Sequence, residues 1–418
     1  MKAILNKTGC LLLVFSLFVS VFYVHGQQTT DYKTISGTIK DERTKKKLEY
    51  ASITVPGTNV GTIANADGEF SIKIKNSYHV ASIEVSHIGY STIRIPIGAT
   101  DIENLTVFLP ANTNKLKEVV VEIADPKKLV EEAIRRIGDN YSTSASLLTG
   151  FYRETVKKRR SFINISEAVV DIYKTSYNVN NVDKDRVQVT KGRTLLSPKQ
   201  GDTLIVKLQG GPNLSIYIDI IKNPDLILNI ENLPHYKFKM EKPVMIDEKL
   251  HYVVSFVPQV VLPYPLHYGT LYIDQETLTF SRAEFKLSMD DRNKATQAIL
   301  RKKPFNMHFK PEEVSFLVSY RERDGRSYLH YVQSEVRFKC DWKRRLFSTG
   351  YTVVSEMVVT DSKIQNVSII PNKLVFKATQ ILSDKVGDFY DENFWEGYNI
   401  IPPTESLESA IDKLKKQR

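Results

Sequence analysis

The chain has 418 residues, with 58 lysines and arginines against 48 aspartates and glutamates, a formal net charge of +10. That length supports two or three ordinary hydrophobic cores. The basic clusters Lys45–Lys47, Lys157–Arg160, Arg301–Lys303 and Lys343–Arg345 each fall at a turn or segment end, and no RNA- or DNA-binding signature accompanies them. Dispersed, solvated charge is expected, and no nucleic-acid partner.

Lys2 and Lys7 precede an apolar run, Cys10 to Val24, and Val24-His25-Gly26 fits a signal-peptidase site. Residues 1–26 are therefore expected to be a signal peptide, with the mature chain beginning at Gln27. The apolar run is shorter than the ~20 residues a membrane-spanning helix needs. No later segment is longer and as apolar, so an exported chain without a transmembrane segment is expected, periplasmic or peripheral to an outer membrane. Removing Lys2 and Lys7 lowers the formal charge from +10 to +8 and leaves Cys340 as the sole cysteine. An intramolecular disulfide is then excluded, and Cys340, at the end of an alternating strand, is expected to be a buried structural thiol.

Residues 27–112 read as a small β-sandwich. Ile35, Gly37 and Ile39 alternate with polar residues, and Ala51, Ile53 and Val55 repeat the period before Pro56-Gly57. Asn65-Ala66-Asp67-Gly68 is a tight turn in which Asp67-Gly68 supplies the positive φ that hairpins favour. Phe70, Ile72 and Ile74 resume the alternation, Ile83 and Val85 form another strand, and Gly89 punctuates it. Ile93, Ile95 and Ile97 follow, and Leu105, Val107 and Leu109 close the unit. Asp67, Gly68 and Gly89 are expected to be structural turn residues, not ligands.

This stretch resembles the carboxypeptidase-regulatory-like domain, a transthyretin-like Greek-key β-sandwich. The resemblance rests on Gly37 to Asp41, Ala51 to Thr58, Gly61 to Phe70 and Ser86 to Tyr90. Similar modules precede the plug and barrel of TonB-dependent transporters in Gram-negative outer membranes, which implies an envelope address. Here the chain instead turns after Val121 into Asp125-Pro126 and a helix, so no barrel of its own is expected.

Residues 113–145 are expected to be a linker and helix. Asp125 caps it, Pro126 opens it, Leu129, Val130, Ala133, Ile134 and Ile137 form its apolar stripe, and Gly138 stops it. Residues 146–388 are expected to form a larger antiparallel sheet domain, mainly β overall. Its strands include Gly150 to Lys157, Phe162 to Tyr173, Tyr252 to Val257, Leu266 to Ile273, Leu278 to Leu287, Val314 to Arg321, Tyr328 to Phe338 and Phe347 to Val359. Asp324-Gly325 marks a hairpin, and helices are expected over Leu214–Lys222 and Arg292–Arg301. Residues 389–418 carry aromatics beside acids and then a terminal helix whose face, Leu407, Ala410, Ile411 and Leu414, is expected to dock on the sheet.

Gly150-Phe151-Tyr152-Arg153-Glu154, Ser166 to Val170, Leu208 to Pro212 and Asn393-Phe394-Trp395 also resemble secreted proteins that join such a sandwich to a β-rich region of unassigned role. Gly269 to Asp274, turning into Ala283 to Phe285, is similar to a hairpin of periplasmic lipoprotein carriers with half-barrel folds.

Enzyme signatures are missing from the sequence. No histidine has a glutamate three residues later, and neither a G-x-S-x-G elbow nor a phosphate-binding loop occurs. Glu167 and Asp171 share a strand face but stand roughly 13 Å apart at the strand rise, too far for a glycosidase pair. No catalytic residue, metal or cofactor is expected. Gln209-Gly210-Gly211-Pro212 is the best local candidate for a binding loop, since adjacent glycines let backbone approach a ligand closely. The expected function is an exported, non-catalytic binding or accessory protein supporting outer-membrane uptake or assembly, with an outer-membrane protein or a lipid as partner. The alternative is a periplasmic lipid or lipoprotein carrier with a half-barrel cavity.

Overall fold

The computed structural model describes residues 31–112, 125–179, 181–199, 201, 202, 204, 206–208, 210–342, 348–388 and 394–417. The expected signal peptide, most of the linker before Asp125, Gln209, the Lys343–Arg345 cluster and the acidic run before Phe394 lie outside the described residues.

The chain is mainly β. Strands β1 (Tyr32–Asp41), β2 (Ser52–Thr54), β3 (Gly61–Ile63), β4 (Glu69–Lys75), β5 (Ser82–Ser86), β6 (Ile93–Pro96) and β7 (Ile102–Leu109) make two facing sheets, ordered β4-β1-β7 and β3-β2-β5-β6. The alternating residues Ile35, Ile39, Ile53, Phe70, Ile72 and Val85 are buried between them, as two stacked half-buried sheets require. β1 runs parallel to β7, and their register shifts between Ile35 and Gly37. A side chain at Gly37 would come within 2.0 Å of the Leu105 carbonyl oxygen, so this strand glycine permits backbone contact.

Helix α1 (Pro126–Arg135), capped by Asp125 accepting from the Lys127 amide at 2.9 Å, and the short α2 (Ile137–Asn140) lead into the second sheet. Its strands are β8 (Ser146–Lys158), β9 (Ser161–Lys174), β10 (Arg186–Leu196), β12 (Tyr236–Ile246), β13 (Lys249–Pro258), β14 (His267–Asp274), β15 (Phe280–Leu287), β17 (Met307–Arg323), β18 (Arg326–Trp342), β19 (Thr349–Lys363) and β20 (Gly387–Asp388). Between them, β11 (Lys207–Leu208) and β16 (Leu300–Lys302) pair separately. The large sheet runs β12-β13-β14-β15-β17-β18-β19-β8-β9-β10-β20. Helices α3 (Pro212–Tyr217) and α4 (Arg292–Ile299) interrupt it, and α5 (Glu405–Gln417) closes the chain.

Each face of this sheet has its own cover. On the helical face, Leu129 and Val130 of α1 and Ile216, Ile220 and Leu233 of the 212–235 segment pack on Tyr152, Val170 and Leu271. Farther along the same face, Ala295 and Ile299 of α4 pack on Val314, Val336 and Phe338. On the opposite face, Phe151, Val169, Tyr331 and Val358 meet Ile63 of the sandwich together with Trp395 and Ile401. The sandwich and the sheet therefore share a core, with residues 394–401 between them.

Two expected helices are shorter in the structure. The 214–222 helix ends at Tyr217, because buried Asp219 turns the chain by accepting from the Ile221 and Lys222 amides at 3.2 and 3.4 Å. The 292–301 helix stops at Ile299, where residues 300–302 become the strand that pairs with β11. Strands β10 and β12 are absent from the sequence reading; β12 is an edge strand paired to the following β13, and β10 lies between the preceding β9 and the two-residue β20. The terminal helix packs Leu407, Ile411 and Leu414 on Ile165 and Leu195.

Candidate functional site

Strand alternation sends Tyr152, Glu154 and Val156 to the helical face of β8 and Phe151, Arg153 and Thr155 to the sandwich face. Pairing across five strands then lines up Ser334, Ser355, Glu154, Ser166 and Thr194 in one polar row. The adjoining row toward α1 is Val332, Met357, Tyr152, Ala168 and Gly192, the floor of the filled core. The row on the other side is Val336, Val353, Val156, Asn164 and Leu196. This row lines a cavity of about 600 Å³.

The cavity lies between the two cores of the helical face. Val156, Val336 and Val353 form its floor, Leu204, Val206 and Leu208 a wall, and Gly210, Gly211, Ile381 and Leu382 border it from other segments. Lys207, Arg301 and Asp384 also line it and are exposed, so they mark the side open to water.

Glu154 is the only carboxylate of the polar row. Its residue is half-buried and lines the cavity. Removal from bulk water pushes its carboxyl above the usual carboxylate range, against the downward pull of the Tyr152 hydroxyl and the Gly211 amide. The Tyr152 hydroxyl donates to Oε2 at 3.0 Å, and burial together with the Glu154 charge raises that phenol well above its ordinary value. The hydroxyls of the row bond in pairs, Ser334 with Ser355 at 2.8 Å and Ser166 with Thr194 at 2.9 Å, and Ser166 also donates to Asn164 Oδ1 at 2.8 Å.

The other buried carboxylates on this sheet have cations. On the sandwich face, Glu356, Arg153, Glu167 and Arg193 alternate in sign across four strands. Arg153 lies 2.8 Å from Glu167 and 3.2 Å from Glu356, and Arg193 lies 2.8 Å from Glu167. The Arg153 Nη2 also donates to the Ile401 carbonyl at 2.6 Å, tying the C-terminal segment down. Burial works against the Arg153 charge, but Glu167 and Glu356 outweigh it and raise its pKa. Deep in the first core, Lys174 lies 3.1 Å from Asp185 and 2.8 Å from Asp219, while the Tyr320 hydroxyl donates to Asp219 at 2.6 Å. These are satisfied internal networks that hold strands and loops in place. Glu167 is thus an ion-pair residue, and Asp171 accepts from the Thr149 and Thr190 hydroxyls at 2.9 and 3.2 Å.

Of the expected binding loop, Gly210 and Gly211 border the cavity, Pro212 is the buried first residue of α3, and Gln209 lies outside the described residues. Gly211 has φ +76 and ψ 179, a conformation in which a side chain is strained. In the sandwich, the Asp67 carboxylate accepts from the Glu405 amide at 2.9 Å, at the start of α5. Gly68 has φ +69, and a side chain there would come within 2.8 Å of the Ile39 carbonyl oxygen. Gly89 has φ +79 and donates its amide to the Met245 carbonyl at 2.8 Å. Turn residues of the sandwich thereby hold other parts of the chain. Sequence reasoning missed Glu154 and the polar row. The available signal was Tyr152, Glu154 and Val156, an acid within an apolar stripe of period two.

Residues 35–121 match the CarboxypepD_reg-like domain. TonB-dependent receptor P3 of Formosa agariphila is 32% identical over 110 residues, which cover 26% of this chain and 10% of that protein. TonB-dependent receptor SusC of Bacteroides thetaiotaomicron is 34% identical over 111 residues, covering 27% of this chain and 10% of that protein. The chain thus matches about a tenth of the length of these curated relatives. Among solved structures, a LolA superfamily protein of Nitrosomonas europaea covers 60% of this chain and 98% of its own, at 13% identity and a TM-score of 0.25. A DUF1329 family protein of Desulfovibrio piger covers 58% and 95%, at 11% identity and a TM-score of 0.26.

Proposed function

We propose that this is an envelope-associated, non-catalytic binding protein that holds an amphipathic small molecule beneath its large sheet. The observation that carries the proposal is the cavity of about 600 Å³ between two filled cores, with an aliphatic floor and one polar border. Its size falls in the range of roughly 300–1,000 Å³ common for small-molecule sites, and its mix of apolar wall and few polar groups fits such a site. Likeness of the sandwich to part of two TonB-dependent receptors supports an envelope address, as does the expected signal peptide.

The second reading is an accessory protein that meets an outer-membrane partner through its sandwich. It is favoured by the rigid attachment of that sandwich, whose Tyr50 ring stacks on Tyr331 at 5.8 Å. Both readings share one experiment. The exported protein is purified from its own cells, extracted with organic solvent and analysed by mass spectrometry, while membrane fractions are probed with tagged protein. A bound amphiphile, lost on Val353→Trp substitution in the cavity floor, is the expected result. A protein that carries no amphiphile and binds no alkyl probe refutes the cavity reading. Recovery of no envelope component from the membrane fractions refutes the accessory reading.

A further inference from the structure

Glu154 departs from the pattern of its neighbours. Glu167, Glu356, Asp185 and Asp219 are each within 3.2 Å of an arginine or lysine nitrogen. Among the described residues no ion pair reaches Glu154, although its carboxylate is removed from bulk solvent. A buried acid without a cation is costly, because the lost hydration is replaced only by the hydrogen bonds at hand. Here the Tyr152 hydroxyl donates to Oε2 at 3.0 Å, and the Gly211 amide also bonds to the carboxylate. The serine and threonine hydroxyls of the same row bond to one another, with Ser166 also bonded to Asn164 and Ser355 to Tyr152, and carry no positive charge to offset the carboxylate. What faces Glu154 on its remaining side is the cavity itself.

The rest of the lining sets the remaining chemistry of the occupant. Val156, Val353 and Val336 continue from Glu154 as an aliphatic floor, so a ligand seated on Glu154 has its apolar part already placed. The cations that line the cavity, Lys207 and Arg301, are exposed, and the Arg301 guanidinium donates to the Ala378 carbonyl. Exposed charges interact weakly through water, whereas a partly desolvated carboxylate interacts strongly with a matched donor. Head-group selection therefore falls to the inner acid and not to the basic rim.

We propose that Glu154 is the head-group anchor of the cavity and selects amphiphiles that carry an amine, whose ammonium supplies the cation the carboxylate lacks. This rests on the binding reading of the cavity given above, and adds the ligand class. The alkyl chain lies along the Val156, Val353 and Val336 row, and the ammonium donates to the Glu154 carboxylate.

The test is displacement of a neutral naphthylamine fluorophore from the full exported chain at pH 8. Dodecylamine, dodecanol and dodecanoate are compared, each below the concentration at which it aggregates or leaves solution. The amine is expected to compete at least about tenfold better than the alcohol, as a hydrogen bond to a charged group implies, and the acid worst of the three. Glu154→Gln is expected to bring amine and alcohol within about threefold of one another. Glu154→Asp, which keeps the charge but withdraws it by one methylene, is expected to retain the amine-first ranking at reduced magnitude. It serves as the second variant if the glutamine form does not fold. Equal binding of all three chains, or an amine preference that survives Glu154→Gln, overturns the head-group assignment and leaves the cavity reading standing. Failure of every chain to displace the fluorophore overturns both.

Discussion

Replacing Arg153 with methionine isolates the seam between the sandwich, the sheet and the C-terminal segment. The guanidinium is fully enclosed, with contacts at 2.8 Å to Glu167, 3.2 Å to Glu356 and 2.6 Å to the Ile401 carbonyl. Breaking a buried pair by removing one partner costs about 3–5 kcal/mol, because the other charge is left behind. Glu167 keeps Arg193 at 2.8 Å, so Glu356 is the stranded acid, with the Tyr331 hydroxyl donating to it at 3.3 Å. A loss of about 3 kcal/mol at pH 7.5, the lower end of that range, is therefore expected. Burial already raises the Glu356 carboxyl, chiefly against the pull of Arg153, and losing that arginine raises it further. The folded value then lies above the unfolded one of about 4.3. A carboxyl shifted in that direction destabilises only when ionised, so the deficit is small below about pH 4 and grows as pH rises through the folded value. Urea unfolding of wild type and Arg153→Met at pH 5 and pH 7.5 measures both the size and the trend. Adding Glu356→Gln is expected to recover at least half of the loss. A deficit under about 1 kcal/mol at pH 7.5, or one that does not shrink at pH 5, refutes the reasoning.

His330 sits at the same seam, its Nε2 3.2 Å from the Ser52 hydroxyl, and burial with Arg321 nearby pushes its pKa down to about 3. Its contribution is fully present above the unfolded value near 6.5 and is lost as pH falls toward 3. At pH 5 the loss is about 2 kcal/mol, so denaturant titrations should show His330→Gln losing that much less than wild type between pH 7.5 and pH 5. Gly211→Ala forces a side chain into φ +76, ψ 179, with its Cβ 3.3 Å from the Phe376 ring. It is expected to cost about 1–3 kcal/mol in thermal unfolding. The same variant should weaken alkyl-probe binding, since the Gly211 amide bears on Glu154. An unchanged melting temperature and probe affinity would refute that role for Gly211.

Much of the local structure was legible in the sequence because its causes are local. Alternation at Ile35, Ile39, Phe70, Ile72 and Ile74 places one residue face inward whatever the partner strand turns out to be. Asp125-Pro126 begins a helix by its own side chain and ring, and Asp324-Gly325 turns a hairpin that joins β17 to β18. The short helices were less legible, because Asp219 turns the chain only through burial in a core built from distant strands.

The Gly210-Gly211 segment was singled out for its backbone freedom, but the sequence could not say what it would border. Glu154 is 57 residues upstream of Gly211, and Ser334 and Ser355 come from strands nearly 200 residues later, so no periodicity within a window connects them. Sequence alone determined the alternation that sends Tyr152, Glu154 and Val156 to one face of their strand. Only the tertiary structure decided which face lies beneath the helices, which registers align the polar row, and that the space beyond Val156 is left open. The physical reason is that side-chain direction is a property of one strand, whereas a cavity is a failure of several distant segments to fill the same volume.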